Sequence, residues 1–466
     1  METEKIYDLI VIGSGGAGKI ARPAAERGLN VAIIEKDKLG GTCLNRGCIP
    51  SKMLIHPADV MQEIREAKKY HISVNAPTVD FGKLVTEINT STDSTSNKIN
   101  DLYNSSKNET LDYFHGQARF LDNNRIEVNS QVISGKKIII AVGARPTIPP
   151  IEGLEATPYM TSTEALRNKQ LPKKLLVIGG GYIAVELGHA YGALGSNVTF
   201  IVRGGLIGNV DSEIKEEFGR VFKEKYNVLE GVGTHKVEYD KTRKEFTLYY
   251  TQNNEEKAIQ GDALLIATGV QPNSDTLNLE NTDITTNKRG FIEVDDTLQT
   301  SLPHIYALGD CIGNYLFRHS VNFEAEYLYK ELIEDNNLKP KNQISYPPMP
   351  WAIFSNPQVA GVGKTEDELI NEGVSYIKGI NKYQDSAMGD ALKSDHGIVK
   401  LLFDKTSLKL LGAHIIGVEA SNMIHILIVF ITMGAKLDDI LNIIYIHPAL
   451  PENVRNAARN AKKAIK

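Results

Sequence analysis

The stretch that decides the fold is Tyr7-Asp-Leu-Ile-Val-Ile-Gly-Ser-Gly-Gly-Ala-Gly18, near the amino terminus. An apolar strand runs directly into the spacing G-x-G-x-x-G, a helical pattern follows, and a second apolar strand ends at Glu35. Small residues at such a turn let backbone N–H groups and a helix N-terminus approach a pyrophosphate, and the carboxylate can accept both hydroxyls of an adenosine ribose. The segment predicts a βαβ nucleotide-binding unit. A tight strand-to-helix turn without a ligand is the alternative interpretation.

The same design recurs in the middle of the chain. An apolar strand and a G-x-G-x-x-A turn occupy residues 175–184, and the next strand ends at Val202. Each unit is later followed by an apolar strand that ends in a glycine turn, at Gly143 and at Gly269. The sequence therefore predicts two nucleotide-binding units, and the change of pattern after Pro350 predicts a third domain that binds no nucleotide.

Composition excludes several classes of function. The chain has 466 residues, of which 42% are hydrophobic and 23% charged, as in ordinary globular proteins of more than one domain. A net charge of −5 gives no basic field, so we expect no nucleic-acid partner. No run reaches about 18 apolar residues, and the first strand begins too early for a signal sequence. We therefore expect a cytoplasmic protein that has no membrane partner.

An acidic corner favours one particular cofactor. Asp310 follows an apolar strand and Gly309, where its carboxylate could bind a polyol hydroxyl. An ordinary type I turn is the alternative for this corner. Combined with the first glycine turn, the corner favours FAD, whose ribityl chain carries such hydroxyls.

Two cysteines lie five positions apart in Gly40-Gly-Thr-Cys43-Leu-Asn-Arg-Gly-Cys48-Ile-Pro-Ser-Lys52. A disulfide can close at this spacing, and a dithiol that cycles beside a cofactor is the sharper interpretation in a reducing compartment. A metal site and simple core cysteines are the alternatives. Because a metal site of this type wants four soft ligands and only Cys311 remains, we expect no metal.

A candidate acid/base pair lies near the carboxyl terminus. His447 is followed five residues later by Glu452, with Pro448 and Pro451 between them. A histidine whose ordinary pKa is about 6.5, oriented by a carboxylate, can move a proton to and from a leaving thiol. A solvated turn is the alternative for a His-Pro pair near a terminus.

Together these motifs resemble the class I pyridine nucleotide-disulfide oxidoreductases, the family of dihydrolipoamide dehydrogenase, glutathione reductase and mycothione reductase. The resemblance runs nearly end to end, from the first glycine turn through the cysteine segment and Ala267-Thr-Gly269 to His447-Pro-Ala-Leu-Pro-Glu452. It implies an FAD enzyme that passes electrons between a nicotinamide, the flavin, a Cys43–Cys48 redox disulfide and a dithiol or disulfide substrate.

The resemblance also implies individual roles. Cys48 would lie against the flavin, Cys43 would exchange with the substrate sulfur, and Lys52 and Glu186 would pair beside flavin and nicotinamide. An exposed lysine and a surface carboxylate are the alternative for that pair. The predicted catalytic residues are Cys43, Cys48, Lys52, Glu186, His447 and Glu452. The predicted cofactor-binding residues are Gly13, Gly15, Gly16, Ala17, Gly18, Glu35, Lys36, Gly41, Thr42, Lys52, Ala118, Gly143, Gly179, Gly181, Tyr182, Ile183, Arg203, Gly269 and Asp310.

The predicted fold class is α/β, with two Rossmann-like dinucleotide-binding domains and a C-terminal α+β dimerisation domain. The predicted boundaries are 1–149 and 271–345 for the FAD-binding domain, 150–270 for the NAD(P)-binding domain and 346–466 for the dimerisation domain. In the family the histidine reaches the cysteine pair of the other subunit. The resemblance therefore implies a homodimer with a shared active site.

The end of the second unit bears on the coenzyme. An NAD enzyme uses a carboxylate at this position to bind the ribose hydroxyls, whereas an NADP enzyme uses an arginine to bind the phosphate. Dihydrolipoamide dehydrogenases usually carry Glu at the Val202 position. Since this chain has Val202-Arg203, we expect NADP(H) to be favoured over NAD(H), with a solvent-facing Arg203 as the alternative. The predicted function is dihydrolipoamide dehydrogenase-like. The alternatives are an NADPH-dependent reductase of low-molecular-weight disulfides, a flavin oxidase or transhydrogenase without a disulfide substrate, and a non-catalytic component of a complex.

Overall fold

A computed structural model of the chain describes residues 5–105, 109–335 and 339–465. The strands in these ranges are β1 (Lys5–Ile12), β2 (Val31–Glu35), β3 (Leu111–His115), β4 (Arg119–Phe120), β5 (Arg125–Val128), β6 (Gln131–Ile140), β7 (Ala144–Pro146), β8 (Lys174–Ile178), β9 (Asn197–Val202), β10 (Asn227–Glu230), β11 (Gly233–Asp240), β12 (Glu245–Gln252), β13 (Glu255–Gly261), β14 (Ala263–Ile266), β15 (Val270–Pro272), β16 (Ile305–Ala307), β17 (Trp351–Ile353), β18 (Val359–Gly363), β19 (Tyr376–Lys382), β20 (Ile398–Asp404) and β21 (Leu410–Ile416).

The α-helices of the same ranges are α1 (Gly18–Glu26), α2 (Gly41–Arg46), α3 (Cys48–Glu66), α4 (Phe81–Tyr103), α5 (Ser162–Ala165), α6 (Tyr182–Leu194), α7 (Ser212–Lys225), α8 (Arg318–Tyr329), α9 (Glu366–Asn371), α10 (Ala387–Ala391), α11 (Ala420–Thr432), α12 (Leu437–Asn442) and α13 (Glu452–Ala464). None of them is long and apolar enough to cross a lipid bilayer.

The chain divides into two compact units, of which the first comprises Met1–Ser51, Val85–Thr147 and Gly269–Ser345. Its main sheet has the order β3-β2-β1-β6-β5-β4, and β16 also pairs with β6. The strands β1, β2, β3, β6 and β16 run parallel, whereas β4 and β5 are antiparallel additions. The predicted α/β nucleotide-binding design is therefore present in this unit.

The first unit forms around β1, whose second half is fully apolar. Residues 9–12 are buried Leu, Ile, Val and Ile, a run typical of a parallel strand covered on both faces. Gly13 then turns the chain toward α1 with φ of 105°, a left-handed conformation that glycine adopts without strain. A Cβ at Gly13 would lie 2.3 Å from the carbonyl oxygen of Ala141, so the turn has room only for glycine.

The second unit comprises Lys52–Leu84, Ile148–Thr268 and Tyr346–Lys466. In its described part, a parallel sheet β10-β9-β8-β14 accompanies an antiparallel sheet β11-β12-β13 and a five-stranded sheet β17-β18-β21-β20-β19. The last sheet is antiparallel and packs against α11 and α13 in a common apolar core. This C-terminal part is α+β as expected. The segment Lys52–Leu84 falls in the range predicted for the FAD-binding domain but clusters here, and the three-domain boundaries stay a prediction.

A buried charge cluster joins the C-terminal sheet to α7 within the second unit. Lys400 of β20 is 1% exposed, and its ammonium lies 2.8 Å from Asp211 and 2.5 Å from Glu366. Glu213 in the first turn of α7 lies 2.6 Å from the same ammonium. Because isolated charges are costly to bury, these groups stabilise the contact only as a set.

Candidate active site

A cavity in the first unit gathers most of the residues predicted to bind FAD. Its lining comprises Ile12, Gly13, Gly15, Gly16, Ile34, Glu35, Lys36, Gly41, Thr42, Cys43, Arg46, Cys48, Gly116, Gln117, Ala118, Ala141, Val142, Gly143, Asn273, Thr276, Leu308, Gly309, Asp310, Leu316, Arg318 and Val321. Ala17 and Gly18 were predicted to bind the cofactor but do not line it. Ala17 is buried in the core, and Gly18 is the first residue of α1.

The carboxylate of Glu35 is held in a fixed position at the end of β2. Ser14 donates two hydrogen bonds to Glu35 Oε2, from its backbone N–H at 2.9 Å and its hydroxyl at 2.7 Å. The backbone N–H of Asp37 donates to Oε1 at 2.9 Å. A carboxylate has about four acceptor sites and three are used here, so one remains for a ribose hydroxyl. Sequence reasoning missed the role of Ser14, although its place inside the glycine motif could have indicated it.

Two glycines of the cavity lining make the close backbone approach that a pyrophosphate site needs. Gly41 has φ of 69°, and a Cβ there would lie 2.7 Å from the Cα of Gly15. Asp310 also lines the cavity, and burial raises the pKa of its carboxyl while the charge of Arg318 opposes that rise. A fixed carboxylate, a glycine cradle and an acidic corner therefore fit the ribose, the pyrophosphate and the ribityl chain of FAD.

The cysteine pair borders the same cavity. Cys43 lies in α2, Cys48 is the first residue of α3, and Gly47 separates the two helices. Both cysteines are free thiols, so the predicted disulfide is open in this structure and its closure stays a prediction. A hydrogen bond from Cys48 lowers the pKa of the Cys43 thiol to about 7; burial opposes this shift, and the charge of Arg318 and the N–H groups of Cys48 and Ile49 assist it. A substantial fraction of Cys43 is therefore a thiolate near neutral pH.

Lys52 and Glu186 are brought together within the second unit, as the resemblance implied. The ammonium of Lys52 donates to Glu186 Oε2 at 2.6 Å, and the Glu186 side chain is 11% exposed. Phe354 closes the arrangement, since its backbone N–H donates to Glu186 Oε1 at 2.9 Å and its ring centroid lies 4.4 Å from the ammonium. No sequence signal indicated Phe354, because it comes from a distant strand end.

The second glycine turn repeats the geometry of the first but ends differently. The N–H of Gly13 donates to the carbonyl of Ile34, and the N–H of Gly179 donates to that of Ile201. Val202 therefore occupies the register position of Glu35. Its side chain is 3% exposed and offers no acceptor for a ribose hydroxyl.

The other predicted nicotinamide-site residues have different environments. Gly181 has open space where a Cβ would be, and Ile183 is exposed. Burial raises the pKa of Tyr182 to about 12, and its ring lies 6.1 Å from that of Trp351. Gly269 belongs to the first unit, where its carbonyl accepts the N–H of Thr147 at 2.9 Å. Arg203 is exposed directly after β9.

The C-terminal pair has the geometry of an oriented acid/base group. His447 Nδ1 lies 3.0 Å from Glu452 Oε2 and 3.1 Å from Oε1. The histidine side chain is 70% exposed, whereas the glutamate side chain is 5% exposed. Burial would raise the pKa of Glu452, but hydrogen bonds from His447, Ala449 and Arg455 outweigh it and the pKa is lowered. The carboxylate is therefore ionised, and it contacts the imidazole through Nδ1.

Comparison with known proteins identifies the family. Residues 7–327 match the pyridine nucleotide-disulphide oxidoreductases, and residues 349–458 match the dimerisation domain of that family. The chain is 32% identical to dihydrolipoyl dehydrogenase 1 from Arabidopsis thaliana, over 97% of its own length and 89% of the relative. It is 33% identical to mycothione reductase from Mycobacterium tuberculosis, over 98% and 99% of the two chains.

A solved structure of a related protein has the same fold. The chain superimposes on the HOCl-induced flavoprotein disulfide reductase RclA from Escherichia coli with a TM-score of 0.84 and 27% identity, over 98% and 99% of the two chains. The chain belongs to the pyridine nucleotide-disulphide oxidoreductases. It is an FAD-dependent enzyme that acts on sulfur groups with NAD(P), and the predicted family and fold class are confirmed.

The pKa of Cys43 generates a first prediction. On the reduced protein, alkylation of Cys43 by iodoacetamide should reach half its maximal rate near pH 7, because only the thiolate reacts. Arg318→Met removes a stabilising charge, so the midpoint should move up by about half a pKa unit or more. The rate at each pH is measured by mass spectrometry of the Cys43 peptide.

The matched control is Arg119→Met, which removes an equal charge from an exposed position of the first unit. The control should leave the midpoint unchanged. An equal shift in both variants, or a midpoint near pH 9 in the unaltered protein, would contradict the assigned role of Arg318.

Proposed function

We propose that the protein reduces a low-molecular-weight disulfide with NADPH. The single observation that carries the proposal is the pair of thiols, Cys43 and Cys48, at the border of a cavity that fits FAD. The similarity to mycothione reductase and to the disulfide reductase RclA supports the same reaction type. The cysteine pair also argues against a flavin oxidase or transhydrogenase, which needs no such dithiol.

Bound FAD would carry an electron pair from the nicotinamide to the cysteine pair. The Cys43 thiolate then attacks one sulfur of the substrate, so that a Cys43–substrate bond forms as the substrate S–S bond breaks. The departing thiolate takes a proton from His447. Cys48, as a thiolate, attacks the Cys43 sulfur, so that the Cys43–Cys48 disulfide forms as the Cys43–substrate bond breaks. The second half of the substrate leaves as a thiolate and takes a proton from solvent. One disulfide is reduced to two thiols per electron pair.

The preference for NADPH rests on the end of β9. Val202 replaces the carboxylate that would bind the ribose of NAD, and Arg203 follows it as an exposed cation. Lys215 of α7 adds a second charge, since its Nζ lies 3.6 Å from where a Cβ of Gly205 would be in the loop after β9. Two cations near the end of β9, where Val202 stands in place of a carboxylate, are suited to binding a 2′-phosphate.

A homodimer with a shared site forms the second part of the proposal. His447 is 70% exposed, and it is preceded by Ile444 and Ile446, which are 99% and 80% exposed. Large exposed apolar side chains of this kind mark protein contact surfaces. The match of this region to a family dimerisation domain supports a second copy of the chain as the partner, with its cysteine pair as the target of His447.

Oxidation of a dihydrolipoyl group with NAD is the second candidate function. The identity to dihydrolipoyl dehydrogenase 1 from Arabidopsis thaliana favours it, and the same thiol chemistry would run in the opposite direction. The Val202-Arg203 pair argues against it, because Val202 offers no carboxylate to the ribose of NAD.

Steady-state kinetics with a substrate panel decide between these functions. The purified yellow protein is assayed with NADPH and NADH against the disulfides of glutathione and mycothiol and against lipoamide. We expect the highest kcat/KM for NADPH with a small disulfide. Cys43→Ser should lose disulfide reduction while NADPH still reduces the flavin. Preference for NAD with dihydrolipoamide would establish the second candidate, and activity that survives Cys43→Ser would reject both.

The coenzyme proposal predicts a selective effect of Arg203→Ala. Loss of a charge-assisted hydrogen bond to the 2′-phosphate should raise the KM for NADPH by about 10-fold to 100-fold. The KM for NADH should change by less than about 2-fold, because NADH has no such phosphate. Arg243→Ala, on the turn between β11 and β12, is the control for a general loss of charge. Equal effects on both coenzymes would contradict the proposed role.

The shared site predicts complementation between two inactive variants. His447→Gln should lower turnover by about 100-fold through loss of the general acid, and Cys43→Ser should abolish it. In a mixed dimer of the two, one site keeps both Cys43 and His447, so disulfide reduction should return to about half the normal rate per dimer. Co-purification with two different affinity tags gives the mixed species. Activity no higher than that of the parents would contradict the shared site.

A further inference from the structure

The acid/base pair has an ionisable neighbour that the motif does not include. Arg455 lies one turn after Glu452 on α13, and its Nη2 donates to Glu452 Oε1 at 2.8 Å. The same oxygen lies 3.1 Å from Nδ1 of His447. One buried carboxylate is therefore shared between a permanent cation and the imidazole.

Arg455 is itself held in place on its other side. Its guanidinium lies 5.7 Å from the ring centroid of Tyr445, within the range of a cation–π contact. The Tyr445 hydroxyl donates to the carbonyl of Ile440 at 3.1 Å, which fixes the ring. The arginine side chain is 22% exposed, so its charge is less screened than that of a surface residue. The guanidinium thus has a defined position relative to Glu452.

The arrangement has an electrostatic consequence for the imidazole. A buried carboxylate that bound only the imidazole would strongly favour the protonated ring. A guanidinium on the same carboxylate offsets part of this attraction and repels an imidazolium directly. Within the described residues, the charged groups of this arrangement are Glu452, which contacts His447, and Arg455, which contacts Glu452 and packs on the Tyr445 ring. Under the proposed dimer, the cysteine pair of a second copy would face it as well.

We propose that Arg455 is a positioning residue, which orients Glu452 and weakens its hold on the His447 proton, so that the imidazole can release that proton as well as accept it. The inference deepens the proposed function and rests on the role of His447 as the acid in disulfide exchange. It assigns Arg455 no contact with substrate.

The test measures the pKa of His447 directly, without any substrate. Exchange of the imidazole C2 hydrogen with deuterium is followed against pH by mass spectrometry of the His447 peptide, on the oxidised holoenzyme so that the cysteine pair does not titrate. We expect Arg455→Gln to raise the pKa of His447 by about half a unit or more. Arg455→Lys keeps the charge and should restore most of the normal value. Arg459→Gln removes an equal, exposed charge from the same helix and should change nothing.

An unchanged or lowered pKa in Arg455→Gln overturns the inference, as does an equal shift in Arg459→Gln. Flavin content and the thermal midpoint establish that each variant is folded. If Arg455→Gln does not fold, Arg455→Lys supplies a second comparison. The pH profile of disulfide reduction should move with the pKa of His447. If no disulfide is a substrate, the proposed function fails while the exchange measurement still decides the role of Arg455.

Discussion

The parallel direction of five strands is the constraint on which the cofactor cavity depends. β1, β2, β3, β6 and β16 all end at the same edge of one sheet, and residues at or just after those five ends form part of the cavity lining. The list comprises Ile12, Gly13, Ile34, Glu35, Gly116, Ala141, Val142, Leu308 and Gly309. Parallel strands in an open α/β sheet have their carboxyl ends at one edge. Segments far apart in the chain therefore lie close together at that edge.

The same backbone design occurs twice in this chain with different side chains beside the turn. At both glycine turns the N–H of the first glycine donates to the neighbouring strand, which sets one side-chain position beside the turn. Glu35 at the first position is fixed by Ser14, whereas Val202 at the second is buried and apolar. The fold therefore fixes where a nucleotide would bind, and under the proposed function single side chains at the strand ends set which nucleotide is preferred.

The sequence predicted the geometry of segments whose patterns lie in consecutive residues. The glycine turns, the cysteine segment and the His447–Glu452 segment are local patterns, and the structure brings Lys52 to Glu186 as the resemblance implied. The sequence did not predict the contacts of side chains that reach the site from distant segments of the chain. Arg318 acts on Cys43 only because α8 begins at the cavity, and Phe354 meets Lys52 only because β17 ends there. Arg455 belongs to a helix pattern that gives no hint of its shared carboxylate.

The central claim is that Cys43 and Cys48 form the two-electron centre that the nicotinamide coenzyme reduces. The most direct measurement adds one equivalent of NADPH to the oxidised holoenzyme without oxygen, alkylates the thiols and identifies them by mass spectrometry. The account predicts that Cys43 and Cys48 become labelled only after NADPH. Cys311 should stay unlabelled throughout, because burial raises the pKa of its thiol to about 12. Bleaching of the flavin without any labelling of Cys43 and Cys48 would contradict the account.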